Sequence, residues 1–288
     1  MENSSTFPDA LANLAVLSKV DRIPIDMRRS YTVIPVDRAS FPINDLDEEL
    51  RAYVVDGAFG LSFDHPLYRD IHILFTANMP AEQYSDLSWA PAGLARINEI
   101  IRRKKKELSD AEAKGDWGSY VFIHHRPYRV DALLNVIRRR GASRLWPLVR
   151  HVWTNSESNM QSWFEWSEIW SHAYTRNGNF RRCFRNFMRP VDRRTYDNLP
   201  EVITAYRGCA DEDEVEGYSW TLDRGRAEWF ARRATHRGPG IVATVNVHKS
   251  VALAYLSDRQ ESEIILDIEY LHEDIQVESL GSEQQEAA

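Results

Sequence analysis

The sequence predicts an α+β chain. Three observations lead there. Helical periodicity governs most of the stretch from about residue 92 to 188. From Leu199 onward, short runs of strand-forming residues dominate, with one helix between the second and third. Before residue 92, apolar runs such as YTVIPV and IHILFTA suggest strands, so the N-terminal region is mixed α/β. The boundaries that follow are an N-terminal region over 1–150, a C-terminal domain over 151–280 and a polar tail, GSEQQEAA, over 281–288.

Taken in order, residues 1–30 read as loosely structured. The stretch 92–114 is a helix with a basic end, and SYVFIHH (119–125) is a strand candidate. Asp131 caps a helix running to Arg140, which Gly141 ends. The next helix spans Ser143 to Trp153. The amphipathic run 156–174 places Trp163, Trp166 and Trp170 on one face, as core or as a stacking surface. Over 175–200, Arg176, Arg181, Arg182, Arg185, Arg189, Arg193 and Arg194 interleave with Phe180, Phe184 and Phe187. That mixture fits a nucleic-acid surface, and it equally fits a buried phenylalanine face with arginines outside. After Leu199, EVITAYRG (201–208), GYSWT (217–221), IVATVNV (241–247) and SEIILDIEYL read as strands, with a weaker one in DIQVESL. Asp223 caps the intervening helix, DRGRAEWFARR, with Ala227, Phe230 and Ala231 inward.

Composition narrows the class. A chain of 288 residues with 43% hydrophobic and 27% charged residues is ordinary for a globular protein. Cys183 and Cys209 form no spacing motif, which argues against a disulfide framework or a zinc site. No run of 18 apolar residues spans a membrane, and the N-terminus lacks the basic start of a secretory signal, so the expected location is the cytoplasm. The net charge of −7 hides an asymmetry. Residues 101–194 hold 20 Lys and Arg against 9 Asp and Glu, a net of +11, which leaves −18 for the remainder. A basic middle in an acidic chain points to an anionic partner, or to pairing within the molecule.

Three polar features then fall on predicted strands: Arg207 at the end of the first, Ser219 and Thr221 around Trp220 in the second, and Glu261 with Glu263 at the start of the fifth. Strand alternation would point both glutamates the same way. In this order, YRG, SWT followed by AEWFA, and ESEIIL resemble the Arg–Ser–Glu class of ADP-ribosyltransferases over about 202–270. That family's signature is a strand-end arginine, a Ser-x-Ser/Thr pair and a Glu/Gln-x-Glu pair. The resemblance implies a split β-sheet catalytic domain over 151–280 and NAD as co-substrate, with no metal.

The resemblance also implies roles. Arg207 would grip the NAD pyrophosphate, since a guanidinium fork matches phosphate oxygens. Gly208 would allow close backbone approach. Glu263 would stabilise the oxocarbenium-like ribose as nicotinamide leaves, held by a hydrogen bond from Ser219. Thr221 would support the strand. Trp220, Tyr218 or Trp229 would stack on nicotinamide. Glu261 would orient an arginine acceptor and help remove its proton. The acceptor is thus a macromolecule, best matched by protein arginine. The alternatives are RNA or DNA met through 101–194, as in a toxin of a bacterial or phage conflict system with a neutralising antitoxin-type protein, or a binding module without activity.

Overall fold

The computed structural model describes residues 43–57, 60–70, 93–156, 162–174, 180–234, 238–267, 271 and 275–280. The apolar runs at 31–36 and 71–77 and the tail at 281–288 lie outside these residues. The chain divides into two compact units, Met1–His125 and Arg126–Ala288. The helices after Arg126 therefore belong with the strands that follow, although the sequence boundary stood at 150.

In the first unit, β1 (Val54–Gly57), β2 (Gly60–His65) and β3 (Tyr68–Asp70) form an antiparallel meander. Helix α1 (Gly93–Lys114) buries Ile97 and Ile101, one helical turn apart, in a core with Leu46, Leu50 and Phe63. Its basic face is partly paired within the unit. Arg102 meets Asp47 at 2.6 Å, Lys105 meets Glu49 at 2.7 Å, and Lys104 donates to the Leu67 carbonyl. One sequence expectation fails here. SYVFIHH is not a strand but lies mostly in α2 (Trp117–Ile123), because Asp116 caps it by accepting from the Ser119 amide at 3.0 Å. A short apolar run carries too little period to separate the two.

The second unit begins with α3 (Arg129–Arg140), α4 (Trp146–Asn155), α5 (Trp163–Tyr174), α6 (Phe180–Phe187) and α7 (Pro190–Asp197). Gly141 ends α3 with φ of 78°, as expected. Asp131 sits in the first turn of α3 rather than capping it, since the helix starts two residues earlier. The tryptophan face is core. Trp153 meets Trp166 edge-on at 4.8 Å, Trp166 stacks with Trp170 at 5.5 Å, and Phe184 and Phe187 pack on Trp170. The interleaved phenylalanines are thus buried, at least at Phe184 and Phe187.

Beyond the helices come β4 (Val202–Cys209), β5 (Ser219–Thr221), α8 (Arg224–Ala234), β6 (Ile241–His248), β7 (Ala252–Leu256), β8 (Glu263–Leu266) and β9 (Gln276–Ser279). They form one antiparallel sheet of order β7-β8-β5-β4-β6-β9, so the α+β expectation holds. β4 pairs with β6 along its whole length, from Val202↔His248 to Cys209↔Ile241. It pairs with β5 only at Tyr206↔Thr221. The β4–β5 junction of this six-stranded sheet thus carries a single bridge pair. Helix α8, capped by Asp223 accepting from the Arg226 amide, lies on β4 through Ala227 and Ala231. That packing depends on Gly208. A Cβ there would sit 1.9 Å from the Ala227 carbonyl oxygen. Among the described residues, no helix is long and apolar enough to cross a membrane.

Candidate active site

The sheet brings Ser219 and Glu263 together. β5 and β8 pair antiparallel with Thr221 opposite Glu263 and Ser219 opposite Ile265. Side chains two residues apart share a face, so Ser219 lies diagonally beside Glu263. Its Oγ donates to Glu263 Oε1 at 2.6 Å. A second donor arrives from the helices. Trp153 Nε1 donates to the same Oε1 at 2.9 Å. One carboxylate oxygen is anchored by two donors and the other, Oε2, is without a hydrogen bond among the described residues.

The residue is only 5% exposed. Burial pushes the Glu263 carboxyl above the usual carboxylate range, against the pull of the two hydrogen bonds and the positive field of Arg259. Burial thus disfavours the charged form; when ionised, the carboxylate acts in a low-dielectric setting, where electrostatic stabilisation of a nearby cation is strong.

Arg207, on β4, lies beneath the segment leading into β5. Its Nε donates to the Glu214 carbonyl at 3.0 Å and its Nη1 to the Ser219 carbonyl. Gly217 is required for this. A Cβ there would come 2.6 Å from Nη2. The guanidinium thus fastens the backbone of Ser219 as well as standing at the strand position foreseen for an anion anchor. Thr221 does support the local geometry. Its Oγ1 donates to the Glu261 carbonyl at 2.6 Å and accepts from the Asp223 amide at 3.1 Å.

Two expected ligand contacts are corrected. Gly208 faces the backbone of α8, so its lack of a side chain serves helix packing and not approach to a ligand. Trp220 points to the opposite face from Ser219. It is buried in the sheet core with its indole N–H donated to the Gly217 carbonyl at 2.8 Å, and cannot stack on a ligand. Of the other aromatics, Tyr218 packs against Trp163 at 5.4 Å with the rings tilted by 31°, and Trp229 lies exposed beneath the guanidinium groups of Arg226 and Arg233.

Glu261 is not on the strand at all. β8 begins at Glu263, and Glu261 has right-handed helical backbone. Around it, Arg259, Gln260 and Ser262 have φ of 56°, 57° and 44°. Left-handed backbone costs a non-glycine residue roughly 1–3 kcal/mol, and such strain persists only where neighbours impose it. Alternation therefore does not align the two glutamates; the turn does. Arg259 Nη2 lies 3.2 Å from Glu261 Oε2, and Arg226 Nη2 lies 3.7 Å from Oε1.

The entrance to this turn is held by Asp192, a residue that local pattern does not single out. This fully buried carboxylate of α7 accepts from the Ser257 amide at 3.1 Å and its hydroxyl at 2.6 Å, and from Arg189 Nε and Arg150 Nη2 at 3.1 and 3.0 Å. The same two arginines hold Asp258. Burial would raise the Asp192 carboxyl, but the hydrogen bonds from Arg189 and Ser257 and the Arg150 charge outweigh it and hold it below the usual range. Beside Arg150 lies a cleft of about 360 Å³ lined by His151, Thr154, Asn186 and, from the arginine- and phenylalanine-rich stretch, Phe187 and Arg189; none of Arg207, Ser219, Thr221, Glu261 or Glu263 lines it.

Comparison with protein-family models, with curated proteins and with solved structures found no match. Among the described residues, no group of His, Cys, Asp or Glu is placed to hold a metal. Trp153 and Asp192 were not foreseen because their partners lie 110 and 65 residues away. Periodicity identified their helices and carries no record of such pairings.

Proposed function

We propose that this chain is an NAD-dependent mono-ADP-ribosyltransferase with protein arginine as acceptor. The observation that carries this reading is the Glu263 carboxylate, with Ser219 and Trp153 on one oxygen and, among the described residues, no hydrogen bond on the other. In transfer from NAD, the bond between nicotinamide and ribose C1′ breaks and positive charge builds on the sugar. Oε2 of Glu263 is a fixed negative atom available to that charge or to the ribose 2′-hydroxyl. On this reading Arg207, whose Nε and Nη1 are held by backbone carbonyls, would meet the pyrophosphate through Nη2, and Tyr218 beside Trp163 would meet the nicotinamide. The near-separation of the sheet between β4 and β5 agrees with a split-sheet catalytic domain.

Glu261 supports the acceptor class. Its carboxylate already engages two guanidinium groups, so its surroundings suit arginine chemistry. A nucleic-acid acceptor drew on phenylalanines among arginines, and Phe184 and Phe187 are core.

The test is to supply NAD with agmatine, a small guanidine, and follow nicotinamide release and ADP-ribosyl-agmatine by mass spectrometry. Both products are expected. No nicotinamide release overturns the transferase reading. Adducts confined to added RNA or DNA overturn the arginine acceptor.

A further inference from the structure

Arg259 occupies the position where an acceptor arginine would be expected. Its guanidinium sits 3.2 Å from Glu261 Oε2, and its charge acts on the Glu263 carboxylate. The side chain is 53% exposed, so a ligand in the site can reach it. Its own backbone is left-handed at φ 56°, inside a turn held from behind by Asp192 through Ser257 and by the arginine pair through Asp258. The second guanidinium on Glu261 is differently placed. Arg226 is less exposed, its Nη2 donates to the Arg259 carbonyl at 3.1 Å, and its guanidinium lies over Trp229 and Phe230. Arg226 braces the turn, whereas Arg259 presents a terminal nitrogen to the Glu261 carboxylate.

We infer that Arg259 is a site of intramolecular ADP-ribosylation, resting on the transferase reading above. The C1′–nicotinamide bond of NAD breaks, and its electron pair leaves with neutral nicotinamide. A terminal nitrogen of Arg259 forms the new bond to C1′ and gives up one proton to Glu261, which passes it to solvent. The product guanidinium keeps its positive charge but now carries a bulky dianionic group at the mouth of the site. That group blocks a second acceptor at Glu261, so modification limits transfer to other proteins.

The geometry favours a reaction within one molecule because the nitrogen is already oriented by Glu261. Rate should then not depend on protein concentration. The experiment incubates the full chain with NAD, measures nicotinamide, and maps adducts by peptide mass spectrometry with fragmentation that retains the modification. An adduct on Arg259 is expected, with a fractional rate unchanged over a tenfold dilution. Arg259→Lys should abolish the adduct in that peptide, and Glu261→Gln should lower it at least tenfold with Arg259 still present. Nicotinamide release with no adduct on Arg259 overturns this inference and leaves the transferase reading standing. A rate that falls tenfold on dilution overturns the intramolecular route. No nicotinamide release overturns both. Should Arg259→Lys fail to fold, the wild-type peptide map and dilution series still decide the matter.

Discussion

In β8 the Glu263 carboxylate is buried, fixed by strand pairing on both sides and by two donors on one oxygen. Two residues earlier, Glu261 sits in a strained turn, and among the described residues its carboxylate meets the ends of two arginines. The difference is one of rigidity. A carboxylate that must sit against a developing charge gains from preorganisation, because nothing has to reorient at the moment of reaction. A carboxylate that receives successive acceptors gains from contacts that exchange. On the proposed reading the first comes from a sheet ladder and a tryptophan, and the second from a turn held by Asp192 at Ser257, by Arg226 at the Arg259 carbonyl and by Thr221 at the Glu261 carbonyl.

The sharpest way to break that contrast is to remove the clamp. Asp192→Ala leaves Arg150 and Arg189 without their shared buried partner and should cost ~3–5 kcal/mol in chemical denaturation. Acid offers a milder version. Asp192 has a folded value depressed below its unfolded one, so its contribution is present at neutral pH and is lost as pH falls through the folded value. A wild-type unfolding series below pH 4 should therefore lose stability that Asp192→Asn does not lose.

Next in size is Trp153→Phe, which keeps a ring in the aromatic core and removes the donor to Glu263. Transfer should fall by about one to two orders of magnitude, the rate equivalent of a hydrogen bond to a charged group. Because that bond favours the ionised carboxylate, its loss raises the Glu263 value further. The acid limb of the pH–rate profile should then move upward. A rate loss with an unmoved limb would mean that Trp153 serves packing alone.

A smaller effect separates the fold from the chemistry at Glu263. Its carboxyl is raised in the folded state, so its ionisation opposes folding as pH rises above the unfolded value. Glu263→Gln lacks that penalty and can still accept from Ser219 and Trp153. Its Tm relative to wild type should rise between pH 4 and pH 7, read by differential scanning fluorimetry. The least effect belongs to the turn's exposed pair: Arg259→Gln should change stability by no more than about 1 kcal/mol, as for other surface ion pairs.

How much of this was legible in the sequence follows the same division. Arg207, Ser219, Thr221 and Glu263 were readable because each lies on a strand with clear composition and ordered neighbours, and Ser219 does meet Glu263. Glu261 was misplaced because strand alternation was extended past Ser262, where a left-handed residue breaks it. Gly208 and Trp220 carry the right residue types on the right strands, yet one faces helix α8 and the other the sheet core. Trp153 illustrates the limit most clearly. Trp146, Trp166 and Trp170 are equally buried, and among the described residues their indole nitrogens find no acceptor. Which tryptophan reaches the Glu263 carboxylate depends on how a helix docks on a sheet, and local pattern does not encode that.

The most direct measurement is nicotinamide release from NAD by wild type and by Glu263→Gln, with near-UV circular dichroism recorded on both. Wild type should release nicotinamide, and the variant should lose at least a hundredfold in rate with an unchanged spectrum. Equal rates in the two proteins, or no release by the folded wild type, would contradict the role assigned to Glu263.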